Sequence, residues 1–391
     1  MNYILFDSDV RNSLLPFTYT RPVADIRIGV LTIREKWEKF LGFTTTSITE
    51  EYLEVKYPMV ELDKNILINA SFLPTKSLVE QVRNLSENQA IFKGEEVIAF
   101  FTSDTQEDVD FTLYKQIECS GDVLQLKNTW DIFSLNDKAI KADYDLITQG
   151  RTSAPIPEGV HAINKENIFI EEGATISFSS LNASTGPIYI GKDSEIMEGC
   201  LVRGPFALCE YSILKMGAKI YGATTVGPYC KVGGEVNNSV LFGFSSKGHE
   251  GFLGNSVLGE WCNVGADTNT SNLKNNYAEV KLWDYHKERF TNTGLQFCGL
   301  MMGDHSKCGI NTMFNTGTVI GVSANIFGSG FPRNFIPSFS WGGAAGFTTY
   351  QLNKVIEVAK VVMKRRELEW SEIDEKILQH VFDETAKNRA K

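Results

Sequence analysis

The chain has 391 residues, 42% of them hydrophobic and 22% charged, with a formal net charge of −10 at pH 7. That length exceeds what one hydrophobic core usually serves, so two domains are expected, and no apolar run approaches the ~18 residues that would argue for a membrane span. The acidic balance argues against nonspecific nucleic-acid binding, which needs basic surface to displace counterions, but leaves small anionic substrates open because a site needs only a few local cations.

From the N-terminus, MNYILFDSDVRNS carries too few apolar residues before Asp7 for a secretory signal. Seven cysteines (Cys119, Cys200, Cys209, Cys230, Cys262, Cys298, Cys308) show no CxxC pair or zinc-like spacing. They read as reduced thiols of a cytoplasmic protein. Over residues 1–150, short β-rich runs at Tyr3 to Phe6, Asn65 to Asn69 and Glu96 to Phe101 alternate with helical periodicity at Leu31 to Leu41 and Thr75 to Asn84, the pattern of a mixed α/β domain. RTSAPIPEGVHA, with two prolines, reads as a linker, placed over 151–165.

Beyond it a six-residue repeat begins. Ile190, Ile196, Val202, Leu208, Leu214, Ile220, Val226 and Val232 follow one another at a spacing of six, which neither a helix nor an alternating strand produces. A parallel β-helix does, with one aliphatic side chain per side pointing to the axis. Phe252, Leu258 and Val264 resume the count after a break, and Met302, Cys308, Phe314, Ile320 and Ile326 resume it again. The expected solenoid spans 166–345, and residues 238–251 and 267–299 are expected to leave it as loops, where chemistry is usually placed. From 346 to 391 the pattern returns to helix (Leu352, Val355, Val358, Val361, Val362) and predicts a tail packed across the end of the coil. Open sheet edges and a flat side predict an oligomer.

The densest polar stretch, KGHEGFLGNSVLGEWCNVGADTNTSNLKN, surrounds His249. Histidine takes up a proton near neutral pH. On this reading Lys247 holds a phosphate, Asn263 and Asn272 hold sugar hydroxyls, and the Gly265–Ala266 corner offers backbone N–H groups to an oxyanion. A hydrogen-bonded structural histidine flanked by an asparagine ladder is the ordinary alternative.

GHxxxLG, then an NVGA corner, then TxTSNLKN resembles the acetyltransferase half of the bifunctional GlmU family, which makes UDP-N-acetylglucosamine. The resemblance implies a left-handed parallel β-helix of hexapeptide repeats, a homotrimer, and acetyl-CoA lying between neighbouring coils. It implies His249 as the base that deprotonates the 2-amino group of glucosamine 1-phosphate. Asn263 and Asn272 are implied to grip substrate, and the backbone at Ala266 to contact acetyl-CoA. The chain departs from that family at Phe252 and Leu273, which replace tyrosines, and at Tyr221 and Asn238, near which its phosphate-binding cations fall. Lys219, Lys231, Lys247 and Lys274 are the candidates to replace those cations.

The N-terminal part lacks the GxGTR phosphate loop of sugar-phosphate nucleotidyltransferases. RNSLLPFTYTRPVADIRIGVLTIREKW (11–37) and TWDIFSLNDKAI (129–140) are instead similar to a divergent GlmU-like branch, implying a nucleotidyltransferase-like, Rossmann-like α/β domain over 1–150. Arg11, Arg21 and Arg27 could then supply the cationic clamp that a triphosphate requires. Nucleotidyl transfer needs Mg²⁺ on carboxylates. The family's GD falls on Asn69-Ala70-Ser71, which leaves Asp131 or Asp7 to hold the ion. The expected activity is N-acetylation of glucosamine 1-phosphate followed by uridylyl transfer from UTP. The alternatives are a nucleotidyltransferase alone, for instance a glucose-1-phosphate thymidylyltransferase, with the β-helix as trimerising support, or a non-catalytic scaffold or nucleotide sensor.

Overall fold

A computed structural model describes residues 1–103, 105 and 109–389, which pack as two units. The first comprises Met1–Leu14, Thr20–Ile26 and Leu31–Asn128. Its strands are β1 (Asn2–Phe6), β2 (Thr46–Ile48), β3 (Asn65–Asn69), β4 (Gln89–Lys93), β5 (Glu96–Thr102) and β6 (Lys115–Glu118). They form one sheet in the order β2-β1-β3-β5-β4-β6, with β2, β1 and β3 parallel and β5 antiparallel to both neighbours. β3 is buried along its whole length, as expected of a strand covered on both faces. The helix Ile33–Leu41 starts in a capping box, where Glu35 N donates to Thr32 Oγ1 at 3.2 Å and Thr32 N donates to Glu35 Oε2 at 2.6 Å, satisfying two otherwise orphaned donors. Its Trp37 is fully buried and donates Nε1–H to Phe72 O at 3.0 Å.

The second unit comprises Leu15–Tyr19, Arg27–Val30 and Thr129–Lys391. Its body is the expected parallel β-solenoid with a C-terminal helical tail. Three sheets of six, nine and ten strands form its sides. Side A holds 161–163, 180–182, 201–203, 219–221, 235–237 and 252–254; side B runs from 168–170 to 335–336; side C runs from 175–176 to 346–349. Pairing between successive coils is parallel, as Ile188↔Phe206↔Thr224 shows on side B; the final pair, 340–343 with 346–349, is antiparallel. The axis is filled by Ile190, Ile196, Val202, Leu208, Leu214, Ile220, Val226 and Val232, all buried. Each contributes roughly 1.5–3 kcal/mol by leaving water.

The first break in the count is not an excursion. Residues 240–243 and 246–247 remain strands of sides B and C. The coil shortens instead: the axis continues through Val236, Leu241, Lys247, Leu253 and Leu258 at spacings of four, five, six, six and five. Leu253 therefore fills the slot that the count assigned to Phe252, which lies half-buried. The second break does leave the solenoid, but only after Asn269–Thr270, which still pairs with Met313–Phe314. Within it, Lys281–Asp284 and Arg289–Asn292 form an antiparallel hairpin.

The corner between sides B and C carries a ladder of rings. Tyr211, Tyr229, Phe244 and Trp261 stack with centroids 4.8, 5.0 and 4.3 Å apart, and His305 follows at 6.2 Å. All five residues have φ between +53° and +62°, a conformation that costs a non-glycine residue roughly 1–2 kcal/mol and that ring stacking offsets in part. The tail runs along this corner rather than across the coil's end. Arg366 Nη1 donates to Tyr229 O at 2.9 Å, Trp370 meets His305 edge-on at 6.1 Å, and Phe382 meets Phe339 at 5.0 Å.

The outward residues Ala207, Thr225 and Phe242 of side B are buried because other parts of this unit cover them. Phe17 packs on Phe242 at 5.2 Å. Gly29 N donates to Asn136 Oδ1 at 2.7 Å and Val30 N to Asp143 Oδ2 at 2.8 Å, both acceptors lying on the helix Asn136–Thr148. Asn136 Nδ2 in turn donates to Ala223 O at 2.8 Å. The helix 136–148 and the segments 15–19 and 27–30, read from the sequence as parts of the N-terminal domain, thus pack with the second unit. In the stretch read as a linker, Ala154 N donates to Ile170 O at 2.9 Å, joining it to the first coil.

Candidate functional site

His249 stands on the corner between sides C and A, after the strand Ser246–Lys247 and before Phe252–Gly254. Two glycines shape the corner. A Cβ on Gly234 (φ +70°), one coil earlier, would lie 2.7 Å from His249 O, and one on Gly251 (φ +112°) would lie 2.1 Å from Thr268 O. Only glycine permits this approach of backbone to backbone. The imidazole is exposed and makes no hydrogen bond among the described residues. Its neighbour Glu250 is exposed, lies 3.6 Å from Lys219 Nζ, and accepts at its backbone oxygen from Asp267 N at 3.0 Å.

Lys247 was expected to hold a phosphate, but its side chain is turned into the solenoid axis, between Val232 and the Val264 rung, and is 2% exposed. Its Nζ donates to His249 O at 2.6 Å. Burial lowers its pKa to about 8, with Glu250 the largest opposing charge. An ammonium inside a β-helix core is costly, and here it is bonded to the carbonyl of the corner histidine.

The other expected residues are spread around the coil. Ala266 and Asp267 form the next corner, stacked on His249 and Glu250; Gly265 N is committed to Cys308 O at 3.2 Å. Asn263 is exposed on the outer surface of side C, in register with Ser246 and Lys307. Asn272 lies beyond side A, where its Nδ2 donates to Asn255 Oδ1 at 2.8 Å. Phe252 N donates to Asn269 Oδ1 at 2.9 Å. Lys274 belongs to the excursion and donates from Nζ to Glu279 O at 2.8 Å. The chain thus gathers Lys247, His249, Glu250 and the Ala266–Asp267 corner, and leaves Asn263, Asn272 and Lys274 apart from them.

In the first unit, Asp7 at the end of β1 is the centre of a polar cluster. It accepts from Thr49 Oγ1 at 2.7 Å and Val23 N at 2.8 Å, and pairs with Arg11 Nε at 3.5 Å. Desolvation pushes its pKa up to about 6 in spite of these partners. Arg11, also buried, donates to Tyr52 Oη at 2.8 Å and faces Glu50 at 3.4 Å. Asn69, at the end of β3, accepts at Oδ1 from Ser71 N and Ser71 Oγ and donates from Nδ2 to Val97 O at 3.2 Å. Arg21 is buried at 4% exposure. Arg27 falls in the second unit, where Nε donates to Phe242 O at 2.9 Å and Nη1 to Val30 O, so the expected three-arginine clamp does not form within one unit. Glu50 and Tyr52 were not picked out from the sequence; an acid and a phenol at the start of the one-turn helix Glu51–Glu54 carry no local signature.

The donors present do not fit a resident Mg²⁺. Among the described residues no three His, Cys, Asp or Glu converge on a point. Both oxygens of Asp7 are already engaged, and Asn69 supplies an amide where a carboxylate is needed. Asp131 lies in the second unit, on the short helix Asp131–Ser134.

Comparison with protein families matches residues 3–152 to the family described as sugar nucleotidyl transferase. That part of the chain is a sugar nucleotidyltransferase domain, and the protein is a transferase. Comparison with curated proteins returns no match. Among solved structures, the chain is similar to a UDP-N-acetylglucosamine acyltransferase from Campylobacter jejuni, with 11% identity over 57% of this chain and 95% of that one and a TM-score of 0.29. LpxA, a UDP-N-acetylglucosamine acyltransferase from Bacteroides fragilis 9343, matches with 12% identity over 57% and 96%, TM-score 0.25. AntD, an N-acyltransferase from Bacillus cereus in complex with dTDP and 3-hydroxybutyryl-CoA, matches with 13% identity over 53% and 91%, TM-score 0.23. Likeness at this level carries no argument about chemistry. No helix among the described residues is long and apolar enough to cross a membrane.

Proposed function

We propose that the protein makes UDP-N-acetylglucosamine by two group transfers: N-acetylation of glucosamine 1-phosphate by acetyl-CoA at the His249 corner, and uridylyl transfer from UTP in residues 3–152. In the first, the 2-amino nitrogen attacks the thioester carbonyl while the imidazole takes its proton. The C–N bond forms, the C–S bond breaks, and coenzyme A leaves as the thiolate that the imidazolium reprotonates. The observation that carries this reading is an exposed imidazole, free of hydrogen bonds among the described residues, on a corner whose backbone is fixed by Lys247 and Gly234. Support for the second transfer is the family match of residues 3–152. A cytoplasmic homotrimer belongs to the same reading, because one chain alone leaves Asn263 and Asn272 away from His249, and a neighbouring copy could bring their equivalents to it.

The test is incubation with glucosamine 1-phosphate, acetyl-CoA and UTP, with and without added Mg²⁺, and mass spectrometry of the products. Acetylated sugar phosphate from the native chain and none from His249→Ala is expected, with uridylyl transfer to separately supplied N-acetylglucosamine 1-phosphate unchanged in the variant. Acetylation that survives in the variant rejects the role of His249. Nucleotide sugar formed without acetylation favours nucleotidyl transfer alone, the reading to which the engaged side chains of Asn272 and Lys274 lend support.

A further inference from the structure

The excursion after side A builds a cleft of about 650 Å³ wholly within the second unit. Three cations line it, Lys274, Lys281 and Arg333, with the rings of Trp283, Phe290 and Phe335; no Asp or Glu does among the described residues. Trp283 stacks on Phe335 at 4.2 Å with 11° between the planes, and Phe290 meets Trp283 edge-on at 5.4 Å. Cross-strand pairing on the hairpin, Lys281 with Asn292 and Trp283 with Phe290, fixes these side chains relative to one another. Lys281 and Arg333 are exposed and form no ion pair among the described residues; the Arg333 guanidinium lies 5.4 Å over the Phe347 ring.

An acidic chain that sets three cations around one cleft, with no carboxylate in its described lining, meets a repulsive cost that a bound anion offsets. Aromatic side chains beside those cations add a surface on which a flat ring can stack. The volume lies in the range of small-molecule sites. We infer that this cleft binds an aromatic base carrying a diphosphate, its ring against the Trp283–Phe290 wall and its phosphates on Lys281 and Arg333. That chemistry is shared by free nucleoside diphosphates and by the nucleotide end of coenzyme A.

The test is calorimetric titration of the full chain, without added metal, with UDP, ADP, coenzyme A and pyrophosphate. It is repeated on the Lys281→Ala/Arg333→Ala double variant, Phe290→Ser and, as a solvent-exposed control away from the cleft, Lys354→Ala. Saturable binding of at least one base-diphosphate is expected, at least tenfold weaker in the double variant and in Phe290→Ser and unchanged in Lys354→Ala. Tightest binding by coenzyme A assigns the source to the acyl donor, and by UDP or ADP to a free nucleotide. The inference is overturned if none of the three nucleotides binds, if binding is kept in the cleft variants, or if pyrophosphate alone binds as tightly. These outcomes stand apart from the acetylation assay on His249→Ala, which reads product formation at a corner that does not line this cleft.

Discussion

Lys247 Nζ donates a 2.6 Å hydrogen bond to the backbone oxygen of His249, and so the only lysine in the row of inward side chains Ile196, Leu214, Val232, Lys247 and Val264 is bonded to the corner that carries the candidate base. Methionine would fill the slot without the charge. Lys247→Met is expected to fold and to lose acetyl transfer by tenfold or more, because the His249 carbonyl is then held by nothing from below. The pH dependence carries a sign. Folding lowers the pKa from 10.5 to about 8, so the unfolded chain binds the extra proton between those values and native stability rises with pH across that window. Relative to Lys247→Met, the native chain should gain roughly 2 kcal/mol between pH 8 and pH 10.5 in urea unfolding. A flat difference curve would show that the ammonium is not desolvated.

Arg27 and Asn136 are expected to act as structural residues of the second unit. Arg27 is 8% exposed and bonded to the carbonyls of Phe242 and Val30; Asn136 is fully buried between Gly29 N, Ala223 O and Thr225 Oγ1. Removing either side chain orphans buried backbone groups, at about 1–3 kcal/mol each. Arg27→Ala and Asn136→Ala should each lower the unfolding midpoint of the solenoid, and Arg27→Lys should not rescue, since an ammonium lacks the planar fork. Both act on the segment 27–30, so their effects should sum to more than the double variant loses. Nucleotide affinity that falls in Arg27→Ala with stability intact would instead restore the phosphate-clamp reading.

How much of this could be read beforehand depends on whether a feature has a local period. The strand at Asn65–Asn69 declares itself as a short apolar run and the helices at Ile33–Leu41 and Lys76–Arg83 by periodicity and caps, and all three lie within a residue or two of their expected places. The six-residue count holds from Ile190 to Val232 and then fails, because the step from Val232 to Val236 loses two residues and the steps from Val236 to Leu241 and from Leu253 to Leu258 lose one each. A hydrophobic count also passes over a lysine that faces the core, so Lys247 was read as a surface phosphate ligand and Phe252 as a rung in place of Leu253. The tail shows the same limit. Val355 is buried with Ile356 and Ala359, while Val361, read as part of the apolar stripe, is 62% exposed. Segments 15–19 and 27–30 join the second unit through contacts up to 215 residues away in the chain, which leave no local trace at all.

Asp7 sets a pH response in the first unit. Its folded pKa, about 6, lies above the usual value of 3.8, chiefly through burial, so the native state holds a proton that the unfolded chain has released. The contribution of this group to stability is full below pH 3.8 and is lost as pH rises through 6. Asp7→Asn removes the titration. Native minus variant stability should fall by on the order of 2–3 kcal/mol across that window. An isotope-edited infrared carboxyl band that titrates near pH 4 would sink the prediction at its source.

The ring ladder tests whether stacking carries the left-handed corner. Phe244 and Trp261 are the closest pair, 4.3 Å apart with planes 9° from parallel, and both sit at positive φ. Phe244→Ala keeps the backbone strain and loses the stacks of this half-buried ring on Tyr229 and Trp261, and should cost about 1–3 kcal/mol. Phe244→Gly loses the same ring but relieves the φ of +53°. It should therefore be more stable than the alanine variant by about 1 kcal/mol, the reverse of the order seen where φ is negative. Thermal unfolding of the two variants decides it, since a glycine variant weaker than the alanine one would mean that the corner stores no strain for the rings to offset.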